Sequence, residues 1–135
     1  MRLEFQLRTN DRTHFREITA EVQDAVKKAG LKDGLVTVYV PHTTAGVTIN
    51  EHADPDVVYD MKNVLDDMVP WEGAYRHAEG NTAAHVKASM MGSSAQVIVE
   101  GGRLLLGTWQ GIFFCEFDGP RSRNVWLHCT STINH

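Results

Sequence analysis

Three observations predict an α+β fold. Strand-like alternation opens the chain, two stretches of helical periodicity fill its middle, and its last third is a series of short apolar segments broken by glycine-bearing turns. That order builds antiparallel sheets in a sandwich-like arrangement with two or three packed helices. At 135 residues and 42% hydrophobic, the chain suits a single domain over 1–135, because a domain of that size buries roughly two thirds of its unfolded surface.

Leu3, Phe5 and Leu7 alternate with Glu4, Gln6 and Arg8, the mark of a half-buried strand, and Asn10-Asp11-Arg12 turns it. From Thr19 the period lengthens: Ile18, Val22, Ala25, Val26 and Ala29 recur at helical spacing, with Thr19 as the expected N-cap and Gly30 as the terminator. Leu35 to Val40 is a β-branched strand. Pro41 separates it from the stretch Val40 to Pro55, whose central part reads as a second strand. On that strand alternation places His42, Thr44, Thr48 and Asn50 on one polar face and Thr43, Ala45, Val47 and Ile49 on a buried one.

Asp54-Pro55-Asp56 starts the next helix, with an N-cap acid, proline in the first turn and a second acid at the positive end of the dipole. Val57, Val58, Met61, Leu65 and Met68 form its apolar stripe. An irregular polar segment follows at Tyr75 to Asn81. Asn81 then caps a shorter helix to Gly92, on which Ala83, Val86 and Met90 are expected in the core and His85, Ser89 and Gly92 on a neighbouring stripe. Strands are expected at Gln96 to Val99, Arg103 to Leu106, Ile112 to Phe117 and Asn124 to Cys129.

Thirteen basic and seventeen acidic residues give a net charge of -4, no footprint for sequence-independent nucleic-acid binding. No apolar run approaches the ~20 residues of a membrane span, and the N-terminus lacks a signal core. A soluble cytoplasmic protein is expected. Cys115 and Cys129 each sit in an apolar run and are read as buried thiols.

The chemistry-bearing residues fall into three groups. His42, His77 and His85, from a strand, a loop and a helix, can form an open site for a divalent ion, zinc or magnesium; each can equally be a surface histidine. His14, His128 and His135 have no comparable company. Asn50, Glu51 and Asp54 come next: Asp54 is explained as a helix cap, whereas Glu51 is either a general base or a solvated acid. The third group is Gly107 to Gly111, where Trp109 can stack on a heteroaromatic ring and Gln110 can bond its edge, unless the segment is simply a turn. An anion, where one is bound, would more naturally use Lys87, Ser89, Ser93, Ser94 and Arg103, the alternative being that these form an ordinary solvated surface.

The run His42-Thr-Thr-Ala-Gly-Val-Thr-Ile-Asn-Glu51 with Asp54-Pro55, then His77-x-Glu79-Gly80-Asn81, His85-Val-Lys87-Ala-Ser89 and Gly107-Thr-Trp-Gln-Gly111, resembles the YjbQ-like family from about Phe5 to Cys129. The resemblance implies a sandwich-like homotrimer and a secondary thiamine-phosphate synthase, which joins hydroxymethylpyrimidine diphosphate to thiazole phosphate and releases pyrophosphate. It further implies a metal or anion near His42, His77 and His85, with Glu51 and Glu79 completing the site. Lys87 and Arg103 would then support the departing pyrophosphate, with Asn50, Ser89, Trp109 and Gln110 around the substrate. Two other functions fit the same residues: a metal-dependent hydrolase of a small phosphorylated or acyl substrate, and a non-catalytic metal- or metabolite-binding trimer.

Overall fold

The computed structural model of the protein describes residues 2–132. Strand β1 (Arg2–Arg8) is followed by β2 (His14–Glu17), helix α1 (Thr19–Ala29), β3 (Gly34–Tyr39), β4 (Ala45–Glu51), α2 (Pro55–Met68) and α3 (Thr82–Met91). The chain closes with β5 (Ser94–Glu100), β6 (Arg103–Leu104), β7 (Gln110–Glu116) and β8 (Ser122–Ser131). Every pairing is antiparallel: β1-β8-β3-β5-β6 form one sheet and β2-β7-β4 the other. The α+β expectation is met.

The smaller sheet is the middle layer. Ile112 and Phe114 on one face of β7 join Val36, Val38, Val97, Val99, Val125 and Leu127 of the larger sheet and Val22 and Val26 of α1. Phe113 and Cys115 on the other face join Leu65 of α2 and Ala84 and Ala88 of α3. A strand covered on both faces has no polar side to show, which explains why Ile112 to Cys115 reads as an unbroken apolar run.

Helix ends follow their sequence signals in part. Asp54 Oδ1 accepts the Asp56 N–H at 2.9 Å, and Gly30 closes α1 at φ 70°, a left-handed conformation that glycine adopts at no steric cost. Thr19, however, is the first residue inside α1 and Ile18 occupies the cap position. The Thr19 hydroxyl is drawn away by tertiary partners, accepting the Ile112 N–H at 2.9 Å and donating to Glu17. Asn81 holds the cap position of α3 without a side-chain capping bond; its amide donates to Asp118 instead.

Four further expectations are corrected. His14–Glu17 forms an additional strand against β7, too short to announce itself by alternation. The stretch from Val40 is not strand until Ala45: the Val40 N–H bonds to Ser93 O, so residues 40–44 form a connection that crosses the exit of α3. Val86 and Met90 lie on the exposed side of α3, and Ala83, Ala84, Lys87 and Ala88 are buried. Small side chains let α3 sit close to β4, and the wider face is turned out. Cys129 is half-buried, unlike the fully enclosed Cys115; both are free thiols. Burial raises the pKa of Cys115 well above that of an ordinary thiol and makes it chemically inert.

Gly46 marks the tightest part of that contact. A Cβ there would lie 2.6 Å from Gly92 O and 3.1 Å from the Met91 Cβ, and the neighbouring Val47 N–H bonds to Gly92 O at 3.0 Å. Gly46→Ala is therefore expected to destabilise the protein by about 1–3 kcal/mol through overpacking against backbone. Urea unfolding of the variant would show it, and an unchanged midpoint would contradict the close approach.

Candidate functional site

The site begins with two charges placed where a strand pattern calls for apolar residues. Glu116, at the end of β7, is 0% exposed, and Arg123, near the start of β8, is almost as deeply buried. They form a buried bidentate ion pair, Arg123 Nε donating to Glu116 Oε1 at 2.8 Å and Arg123 Nη2 to Glu116 Oε2. Glu116 also accepts the Thr9 hydroxyl at 2.8 Å and the N–H groups of Phe117 and Asp118 at 3.1 and 3.0 Å. Burial alone would raise the Glu116 pKa, but these hydrogen bonds, led by that of Arg123, outweigh it and hold the carboxyl below its ordinary value.

The same guanidinium donates to Thr44 Oγ1 at 2.8 Å, so the ion pair anchors the 40–44 connection. Two residues earlier, His42 Nε2 accepts the Asn124 N–H at 2.9 Å, taking the place a neighbouring strand would fill beside β8. The ring edge also rests on Phe114, with centroids 6.5 Å apart. Burial and then the positive charge of Arg123 lower the pKa of His42, opposed in part by Asn124 and Glu116. The ring is thus neutral at pH 7. A neutral imidazole that accepts at Nε2 carries its proton on Nδ1, so His42 is an N–H donor there.

His42 lines an open cavity of about 700 Å³ with His77, Glu79, Asn81, His85 and Arg121. His77 and His85 meet edge to face, with ring centroids 5.3 Å apart and planes at 87°. Glu79 Oε2 stands 3.9 Å from His77 Nε2, a loose and solvated pair. Arg121 is oriented by Asp118, through Nε to the backbone oxygen at 2.8 Å and Nη2 to Oδ2 at 3.1 Å. Asp118 also takes the Asn81 amide at 2.9 Å, which leaves the buried Asn81 Oδ1 without a partner among the described residues. An adjoining hollow of about 520 Å³ shares His42 and His85 and adds Ser89 and Gly92.

The expected site residues therefore separate. His42, His77, Glu79 and His85 come together, with Ser89 beside them, although the Ser89 hydroxyl is spent on His85 O at 3.0 Å. Glu51 and Asn50 lie at the far end of β4, where Glu51 pairs with Gln110 in the sheet. There the Glu51 carboxylate accepts the Ala53 N–H, Asn50 Oδ1 the Glu51 N–H and Gln110 Oε1 the Gly107 N–H. Trp109 stands 63% exposed beside them. Arg103 is on β6 at the edge of the larger sheet. Lys87 lies in a different cavity altogether. His52, at the β4 end, pairs with Glu17 at 2.8 Å, and His135 lies outside the described residues.

The three histidines share a cavity but are not arranged as a ligand set. Among the described residues no three His, Cys, Asp or Glu side chains are grouped to hold a metal ion. His42 in particular has its Nε2 lone pair committed to Asn124 and a proton on Nδ1. As arranged, these residues do not fit a three-imidazole metal. They fit an anion, to which His42 and Arg121 can donate.

The match to the UPF0047 protein YjbQ-like family model spans residues 3–132. The chain belongs to this family. It is 54% identical over 123 residues to the UPF0047 protein YugU of Bacillus subtilis, covering 90% of this chain and 93% of that one. It is 47% identical over 127 residues to the UPF0047 protein MJ1081 of Methanocaldococcus jannaschii, covering 94% and 92%. Among solved structures, an uncharacterized conserved protein of the family from Clostridium acetobutylicum superposes with a TM-score of 0.93 at 53% identity, covering 95% of this chain and 99% of the other. The hypothetical protein APE1520 of Aeropyrum pernix gives 0.92 at 36% identity, covering 98% and 99%.

Within this family member, sequence reasoning missed Thr44 as an anchor and the whole of Glu116, Asp118, Arg121 and Arg123. One signal was present: Glu116 interrupts the apolar run Ile112 to Phe117, and a carboxylate there must be paired. Its partner, seven residues on across a turn, carried no local mark.

Proposed function

We propose that the protein binds a small phosphorylated substrate in the histidine-lined cavity and acts as a thiamine-phosphate-synthase-like transferase. The observation that carries this reading is the convergence of His42, His77, His85 and Arg121 on one cavity large enough for a small phosphorylated molecule. In the reaction, the thiazole nitrogen attacks the methylene carbon of hydroxymethylpyrimidine diphosphate. The new C–N bond forms as the C–O bond to the diphosphate breaks, and the electron pair leaves on pyrophosphate.

The His42 Nδ1–H and the Arg121 guanidinium are the groups that would meet the departing charge. His77 and His85 flank it, each with a ring N–H that can donate. No step requires a metal. Assembly as a homotrimer in the cytoplasm belongs to the same proposal.

Coupled detection of pyrophosphate with the purified protein tests it. Release that depends on both the pyrimidine diphosphate and the thiazole phosphate is expected, unaffected by a chelator. Phosphate or pyrophosphate release from either substrate alone would make the protein a hydrolase, and no release under any pairing would leave a binding function; either result overturns the transferase.

A further inference from the structure

Helix α3 borders a second cavity on its other side. Residues advance by roughly 100° per position on a helix, so Lys87, two positions beyond His85, points to the other side. It enters a cavity of about 470 Å³ lined by Asp11, Arg12, Lys62, Asp66, Trp71 and Lys87, none of which lines the histidine cavity. This cavity carries three cations against two carboxylates, in a chain whose net charge is -4.

Lys87 is the unusual member. Its side chain is only 4% exposed, and its ammonium meets Asp66 Oδ1 at 2.5 Å. An ammonium has three N–H donors, and among the described residues Asp66 is the sole hydrogen-bond acceptor found for it. Two donors of a buried charge are left over, a costly arrangement unless an acceptor arrives. Arg12 lies 4.1 Å above the Trp71 ring. Stacking fixes the guanidinium plane while leaving its N–H edge free to bond. Neither Arg12 nor Lys62 forms an ion pair among the described residues.

We propose that this cavity is a second oxyanion site, which takes a small molecule by its phosphate group, held by Lys87 from below and by Arg12 and Lys62 from the rim. Trp71 forms the wall against which the rest of the molecule lies. The site is independent of the histidine cavity and of the reaction assigned to it.

Titration of ¹⁵N-labelled protein with inorganic phosphate tests the proposal, read at the Trp71 indole N–H, which Trp71→Phe identifies. A saturable shift at millimolar phosphate is expected, absent with sodium chloride of equal ionic strength. Lys87→Met should weaken it at least about tenfold, the value of a lost charge-assisted hydrogen bond. Arg12→Gln, on an exposed side chain, should weaken it as well and serves if Lys87→Met does not fold. The Trp126 indole, which lines the histidine cavity, reports the first site in the same spectra, so failure at one site is read apart from failure at the other. No saturable shift at Trp71, or equal affinity in the folded variants, would overturn the proposal.

Discussion

Glu116→Ala is expected to cost about 3–5 kcal/mol, because it leaves the Arg123 guanidinium buried and without its carboxylate. Against a typical total of about 5–15 kcal/mol, that brings the protein close to unfolding at room temperature. The loss should be read as a lower urea midpoint. Replacing the pair together, Glu116→Leu with Arg123→Met, should recover much of it, since an apolar pair of similar volume avoids the unpaired charge. A single variant within about 1 kcal/mol of the parent would refute the assignment. The function should suffer even where folding survives, because Arg123 also holds Thr44 and with it the loop that carries His42.

The pH dependence of the same pair has a definite sign. Glu116 binds its proton less readily folded than unfolded, so its contribution to stability is present above the ordinary carboxylate value of 4.5 and is lost as pH falls through the lower folded value. In Glu116→Ala that acid limb should flatten.

Under the proposed transferase reaction, His42→Ala is expected to reduce turnover by about 10²–10³-fold, the usual consequence of removing one positioned donor to a developing oxyanion. Steady-state kinetics of pyrophosphate release would measure it, with the unfolding midpoint as a control for structure. His42 also leaves a mark on stability. Its pKa is lower folded than unfolded, so its contribution is complete above the ordinary value of 6.5 and is lost as pH falls from there toward the folded value. The parent should thus weaken on acidification below about pH 6.5 more than His42→Ala does. Equal slopes would mean that the imidazole is not held neutral, and unchanged turnover would remove it from the chemistry.

Much of the architecture was legible because it rests on local periodicity. The alternation of Leu3, Phe5 and Leu7, the Asp54-Pro55 helix start and the Gly30 terminator are short-range effects, and each recurs in the structure. Periodicity misled where residues answered to a distant neighbour. Val86 and Met90 have helical spacing suited to a core, yet the close approach of α3 to β4 selected the face with Ala84 and Ala88. Alternation from His42 assumed a strand that begins only at Ala45, because Val40 and Val47 give their N–H groups to the exit of α3.

By itself, then, the sequence determined the α+β fold and the family and singled out three histidines as candidates, since composition, periodicity and ordered motifs are properties of the chain read along its length. Only the tertiary structure decided which candidates share a cavity. Glu51 is nine residues from His42 and ends at the opposite end of β4, whereas Arg123 is 79 residues from Thr44 and bonds it directly. A strand advances by ~3.3 Å per residue and carries sequence neighbours apart. Burial does the reverse: it leaves Glu116 no water to solvate its charge, so a partner must come from elsewhere in the chain, and the loop that bears His42 is tied to that partner.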